Sequence, residues 1–143
     1  MKIKIFALTH KKFEVPQDKM YQPLQVGREE KEDLGYLCDN TGDNISAENC
    51  YYSELTGLYW IWKNVHTYKY VGTCHYRRYL LNEQEKIFTE AEYLELLKDY
   101  DLITTKRVVL NNSYHYGFAT NHNIHALDMT GEVIKELYPE YYD

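Results

Sequence analysis

A chain of 143 residues with 44% hydrophobic content can bury one ordinary core, so a single domain over residues 1–143 is expected. A formal net charge of -6, from 16 Lys plus Arg against 22 Asp plus Glu, excludes the broad basic footprint that nucleic acid or an anionic membrane surface requires. Any polyanion site must therefore be local.

Three cysteines, Cys38, Cys50 and Cys74, stand at long unequal spacings that match neither a disulfide framework nor a paired-cysteine zinc pattern, which suits a reducing, cytoplasmic setting. The apolar run "IFAL" near the N-terminus is too short for a signal sequence, and no segment reaches membrane-spanning length. Tyrosine is over-represented, with 16 residues, and a phenol can pack its ring while its hydroxyl bonds a polar ligand.

In chain order, "KIKIFALT" (Lys2 to Thr9) reads as a first strand that becomes fully buried. Residues 13–33 hold two prolines, one glycine and many charges without a clean period, which predicts an irregular excursion with at most short elements. "DNTGDNIS" (Asp39 to Ser46) is a long Asx-rich turn. Leu55, Leu58, Trp62 and Val65 recur at helical spacing, and "YKYVGTC" is the strand that follows. Thr89 and Glu92 have the spacing of a capping box, which starts a second helix near Glu90. "YDLITT" (Tyr100 to Thr105) reads as a third strand. Leu127, Ile134 and Leu137 share one face of a third helix that stops before Pro139.

Strands alternating with helices imply right-handed βαβ units and a mostly parallel sheet, in which ligands bind beyond the carboxyl ends of the strands. The cationic clusters occupy those ends: "THK" after the first strand, "CHYRRY" after the second and "TTKR" after the third. Arginine presents a fixed fork of donors that fits phosphate, so Arg77 and Arg78 could hold a pyrophosphate without a metal. The competing reading pairs them with the many acidic side chains. Asp39 and Asp43 could bind a hard cation or a sugar hydroxyl, or could simply shape a turn; the calcium-loop pattern is absent. His115, His122 and His125 with Cys74 lack zinc spacings, and no GxSxG elbow supports a nucleophilic triad. Cys74 is either a packed strand residue or a thiol activated by the basic turn.

"KIFALTHKK", "EDLGYLCDNTGDNIS", "YSELTGLYWIWKN" and "YKYVGTCHYRRYL", followed by "YDLITTKR", "NHNIHALDM" and "VIKELYPEYYD", together resemble the DUF4422 family of bacterial polysaccharide-biosynthesis glycosyltransferases. The resemblance implies an α/β, GT-A-like (Rossmann-like) fold and transfer from a nucleotide-diphospho-sugar, such as a UDP-sugar, to a glycan or lipid-linked acceptor of a capsule, exopolysaccharide or O-antigen. It implies donor contacts from Thr9, His10, Lys11, Asp39, Asn40, Gly42, Asp43, Asn44 and Tyr76. His75, Arg77 and Arg78 stand where most GT-A enzymes keep a metal-binding Asp-x-Asp, which implies donor activation without a metal cofactor. His122 and Asp128 are the acceptor-side base candidates. Members of the family usually continue beyond "YPEYYD", so an acceptor half is expected outside this chain. No anchor is read in the sequence, and a lipid-linked acceptor would bring the enzyme to the inner membrane face as a peripheral protein. The alternatives are a non-catalytic module that binds nucleotide sugar or glycan, and a phosphatase or nucleotidyl enzyme using the same basic turn.

Overall fold

Seven consecutive buried residues form strand β1 (Ile3–Thr9), and a strand buried on both faces belongs inside a sheet rather than at its rim. In the computed structural model, which describes residues 2–142, β1 is followed by β2 (Tyr21–Gln25), β3 (Leu37–Cys38) and β4 (Tyr70–His75). The four strands run parallel in the order β3-β2-β1-β4. A short turn of helix, α1 (Asn49–Tyr52), leads into α2 (Leu55–Asn64), and α3 (Glu90–Leu96) follows β4. The α/β class and the parallel sheet agree with the sequence reading.

The alternation of β1 divides its side chains between two layers. Phe6 and Leu8 meet Leu24, Val26, Trp60 and Ile61 on the face that α2 covers. Ile3 and Ile5 meet Met20, Tyr21 and Tyr93 on the face of α3. Each large side chain removed from water this way stabilises the fold by about 1.5–3 kcal/mol. The capping box forms as the spacing predicts: Glu92 N donates to Thr89 Oγ1, and Thr89 N donates to Glu92 Oε2 at 2.8 Å. Glu90 fastens the same helix end to the start of β1, accepting from Lys2 N at 2.7 Å and Ile3 N at 3.2 Å.

Two expectations are corrected. The supposedly irregular stretch contains β2, which pairs with the central strand. Pro23 hid it, because a proline inside a ladder usually loses a hydrogen bond. Val26 N donates to Thr9 O, whereas Gln25 O accepts from Asp39 N. By the two-residue period of a strand, Pro23 therefore faces the β3 side, like Gln25. β3 reaches only Leu24 and Gln25, so the missing N–H costs no bond.

"YDLITT" is not a strand. Ile103 packs against the α3-side core, but Leu102 is 77% exposed and the stretch pairs with no strand among the described residues. Its β-forming composition lacks a ladder partner, and composition alone does not make a strand.

Two compact units are resolved, one up to Thr104 and one from Thr105 on. The second holds α4 (Tyr114–Ala119) and α5 (Ile124–Leu137), the latter matching the third predicted helix and capped by Asn123, whose side chain accepts from His125 N at 3.1 Å. Among the described residues no helix is long and apolar enough to cross a membrane.

Gly57 lets α2 approach the sheet closely, since a Cβ there would lie 2.6 Å from Val26 Cγ1 and 3.0 Å from Leu8 Cδ2. Gly57→Ala should gain about 1 kcal/mol of helix propensity and lose about 1–3 kcal/mol to overpacking. The urea midpoint is expected to fall; a midpoint at or above wild type would show that the helix lifts off without cost.

Candidate functional site: a cationic edge of the sheet

β1 and β4 end side by side, with Leu8 opposite His75. Tyr76 N still donates to Leu8 O at 3.1 Å beyond the ladder, so "THK" and "CHYRR" are forced onto one edge. After Thr9 the chain bends at once, because Thr9 Oγ1 donates to Lys11 O at 2.6 Å and accepts from Lys11 N at 3.0 Å. After His75 it bends again, with Arg78 N donating to His75 O at 2.9 Å. The two bends bring the His10 and Tyr76 rings to 5.6 Å, edge to face. Phe13 packs on Tyr76 at 5.7 Å and on Tyr36 at 5.8 Å. The Arg77 guanidinium lies 5.1 Å from the Tyr76 ring centre. An aromatic wall thus stands beside the cations.

The charge on this edge is not internally neutralised. Lys11, Arg77 and Arg78 make no ion pair among the described residues, whose ion pairs involve other cations. Burial is the first cause that lowers the His10 pKa below 6.5, and the positive charges of Lys11, Lys31 and Arg77 lower it further. The second contribution is a positive local field. Such a field in a chain of net charge -6 suits an anionic ligand, and the reading in which acidic side chains absorb the arginines loses its support.

The "DNTGDNIS" loop takes two different roles. Asp39 is fully buried, and its two oxygens accept four hydrogen bonds. Oδ1 takes Ser46 Oγ at 2.6 Å and Arg28 N at 3.1 Å, and Oδ2 takes Thr56 Oγ1 at 2.7 Å and Gly27 N at 2.8 Å. No lone-pair direction is left for a ligand, so Asp39 shapes the loop from within. Asp43 is exposed, accepting from Tyr59 OH at 3.1 Å with Lys63 Nζ at 3.9 Å. Asn64 clamps the loop backbone, donating to Asp43 O at 2.8 Å. Gly42 turns through the left-handed region at φ 59, and Asn44 Nδ2 donates back to its carbonyl at 3.0 Å. Asn40 Nδ2 donates to Glu29 Oε2 at 3.3 Å.

Three residues that sequence reasoning did not single out belong to this region. Lys31 adds to the field on His10 and donates to Asn49 Oδ1 at 2.8 Å. Asn49 Nδ2 in turn donates to Thr56 Oγ1 at 3.1 Å, which leads to Asp39. Glu54 places Oε1 3.4 Å from His75 Nε2. None carries a sequence signal: Lys31 sits in a charged stretch, and Glu54 precedes a helix where an acidic residue is ordinary.

Other expected positions fall in the second unit. His122 and Asp128 belong to the second unit, where Asp128 Oδ1 is 3.9 Å from His115 Nε2 and the His122 ring packs at 4.9 Å on Phe118. Lys106 is in that unit too, and no strand carries it to the sheet edge. A groove of about 550 Å³ along β4, lined by Tyr21, Leu58, Tyr93, Leu97 and Ile103 among others, is mainly apolar and stops short of His75. Among the described residues no cluster of three His, Cys, Asp or Glu side chains could hold a metal ion.

Comparison with known proteins gives two matches. The family model described as "Domain of unknown function (DUF4422)" matches residues 4–143. Among solved structures, the apo structure of the WbbM bifunctional glycosyltransferase superposes with a TM-score of 0.78 at 28% identity. The alignment covers 99% of this chain and 30% of that one, so the chain spans under a third of its neighbour's length. No curated protein matches the chain in sequence.

Asp39→Ala strands four donors, two of them backbone N–H groups, and should cost about 3 kcal/mol or more; a urea melt within experimental error of wild type would remove Asp39 as the hub. Burial pushes the Cys74 thiol up to about 12, whereas Cys50 is exposed. A thiol reagent at mildly alkaline pH should therefore label Cys50 rapidly and Cys74 only on unfolding. Fast labelling of Cys74 in the native protein would instead mark it as activated.

Proposed function

The chain belongs to the DUF4422 family, and from that premise we propose that it forms the donor-binding part of a glycosyltransferase that moves a sugar from a nucleotide diphosphate, such as UDP, to a glycan. The observation that carries this reading is the un-neutralised cationic edge where β1 and β4 end. Its likeness to a bifunctional glycosyltransferase over 99% of the chain supports it.

Glycosyl transfer breaks the bond between the anomeric carbon and a phosphate oxygen. The sugar becomes cation-like while negative charge grows on the departing diphosphate, and that charge must be met where it develops. Arg77 and Arg78 follow directly after β4, and their guanidinium forks match phosphate oxygens. Lys11 adds a third cation from the end of β1, and Lys31 extends the field. Thr9, His10 and the Tyr76 wall offer an apolar and polar surface for the base and ribose. Asn40, Gly42, Asp43 and Asn44 present the loop to the sugar, held in shape by buried Asp39. The acceptor class, a capsular, exopolysaccharide or O-antigen glycan, free or lipid-linked, is carried over from the family resemblance, as is a peripheral place at the cytoplasmic membrane face.

Because guanidinium groups supply the neutralising charge, donor turnover should persist in excess EDTA. Complete loss with recovery on adding manganese would overturn the metal-independent part of the proposal. Arg77→Ala and Arg78→Ala should each lower turnover of the preferred nucleotide sugar about 100-fold with an unchanged melting curve in the absence of ligand. A thermal-shift panel of nucleotide sugars finds that donor, since ligand at 100 times its Kd stabilises the fold by about 2.7 kcal/mol. Binding without transfer, tested in the presence of glycan acceptors, would make the chain a binding module instead.

A further inference from the structure

Among the described residues the carboxylate paired with the basic turn is that of Glu54, which faces His75, and its placement has a visible structural cause. It follows Ser53, a non-glycine residue at φ 50, ψ -128, a conformation that costs of order 1–3 kcal/mol and persists only where surroundings enforce it. Asn49 enforces it from both sides: Ser53 N donates to Asn49 O at 2.8 Å, and Asn49 Nδ2 donates to Ser53 O at 2.6 Å. The same Asn49 is held by Lys31 and joined through Thr56 to Asp39. The buried hub that shapes the donor loop thus also fixes the turn that aims Glu54 at His75.

The two nitrogens of the His75 ring face different polar groups. Arg77 N donates to Nδ1 at 3.1 Å, so Nδ1 is unprotonated and a neutral ring carries its proton on Nε2. That is the nitrogen facing Glu54 Oε1 at 3.4 Å. The opposite tautomer would set two N–H groups against each other at Nδ1 and leave the carboxylate facing a lone pair. His75 is only 15% exposed in its side chain, and its ring stacks on Tyr76 at 4.4 Å. The Nε2 proton of such a ring is directed at Glu54, and its Nδ1 lone pair is taken by the turn.

We propose that Glu54 is a positioning residue: it selects the Nε2–H tautomer of His75, which then holds the Arg77 backbone and sets the guanidinium at the diphosphate position. This rests on the reading of the basic turn as a diphosphate site. It also makes His75 the clamp of the turn. Glu54 acts without touching the ligand, so an acidic residue belongs at an anion site.

The test reads the tautomer and the affinity separately. Long-range 1H–15N correlation spectra of the His75 ring should show the Nε2–H form in wild type and in Glu54→Gln, whose amide oxygen can still accept. Glu54→Ala should give a mixture of tautomers and about a tenfold loss of affinity for inorganic pyrophosphate, whereas Glu54→Gln should bind close to wild type. Glu54 is half exposed, so neither variant should impair folding. An Nδ1–H tautomer in wild type, or Glu54→Ala with an unchanged spectrum and affinity, overturns the positioning role. Pyrophosphate affinity unaffected by Arg77→Ala would instead overturn the diphosphate reading beneath it, a failure distinguishable because the tautomer result would stand.

Discussion

The in-register parallel pairing of β1 with β4 is the constraint on which the rest depends. Two strands that run the same way and finish at the same level deliver their following residues to one edge. Here those residues are Thr9, His10 and Lys11 on one side and His75 to Arg78 on the other. The pairing is in turn held by the core: β1 is buried on both faces, so a slip of one residue would exchange Phe6 and Leu8 for Ile5 and Ala7 against α2. Charge is concentrated because hydrophobic packing leaves the strands no other register.

A second constraint fixes what faces that edge. Buried Asp39 gathers four donors from three separate stretches of the chain, at Gly27 and Arg28, at Ser46 and at Thr56. A buried carboxylate is tolerable only when its hydrogen-bonding capacity is filled, and filling it ties the connection after β2, the Asx loop and the start of α2 into one body. Asn49 extends the tie to Lys31 and to the strained Ser53. The polar core thus carries geometric information from the loop to the basic turn. The hydrophobic layers supply most of the stability.

Much of this was legible in the sequence, and the rest was not for definable reasons. β1, β4, α3 with its capping box, and α5 follow from periodicity and local side-chain chemistry, which are properties of short stretches; α2 lies where the spacing places it but turns another face inward, with Leu55, Leu58 and Trp62 exposed and Trp60 and Ile61 buried. β2 was missed because Pro23 is harmless only when its partner strand is too short to need it. "YDLITT" was misread because a strand requires a neighbour, which composition does not name. At the site, "CHYRRY" advertises itself, since two arginines at a strand end are unusual. Lys31, Asn49 and Glu54 matter through contacts with residues 7 to 21 positions away, beyond the reach of a local pattern. Asp39 was legible as important, but its inward direction depends on donors that sequence order scatters.

The central claim is that a diphosphate lies among the cations that surround His10. NMR titration of the His10 ring, with EDTA present and with or without saturating uridine diphosphate, tests it most directly. In the free protein the His10 pKa lies below 6.5; a bound diphosphate supplies the missing negative charge, favours the imidazolium and raises that pKa. By linkage, binding should then take up protons and tighten as pH falls through the raised pKa of bound His10 toward its lower free value. A His10 pKa that does not move while uridine diphosphate is demonstrably bound would put the ligand elsewhere and contradict the account.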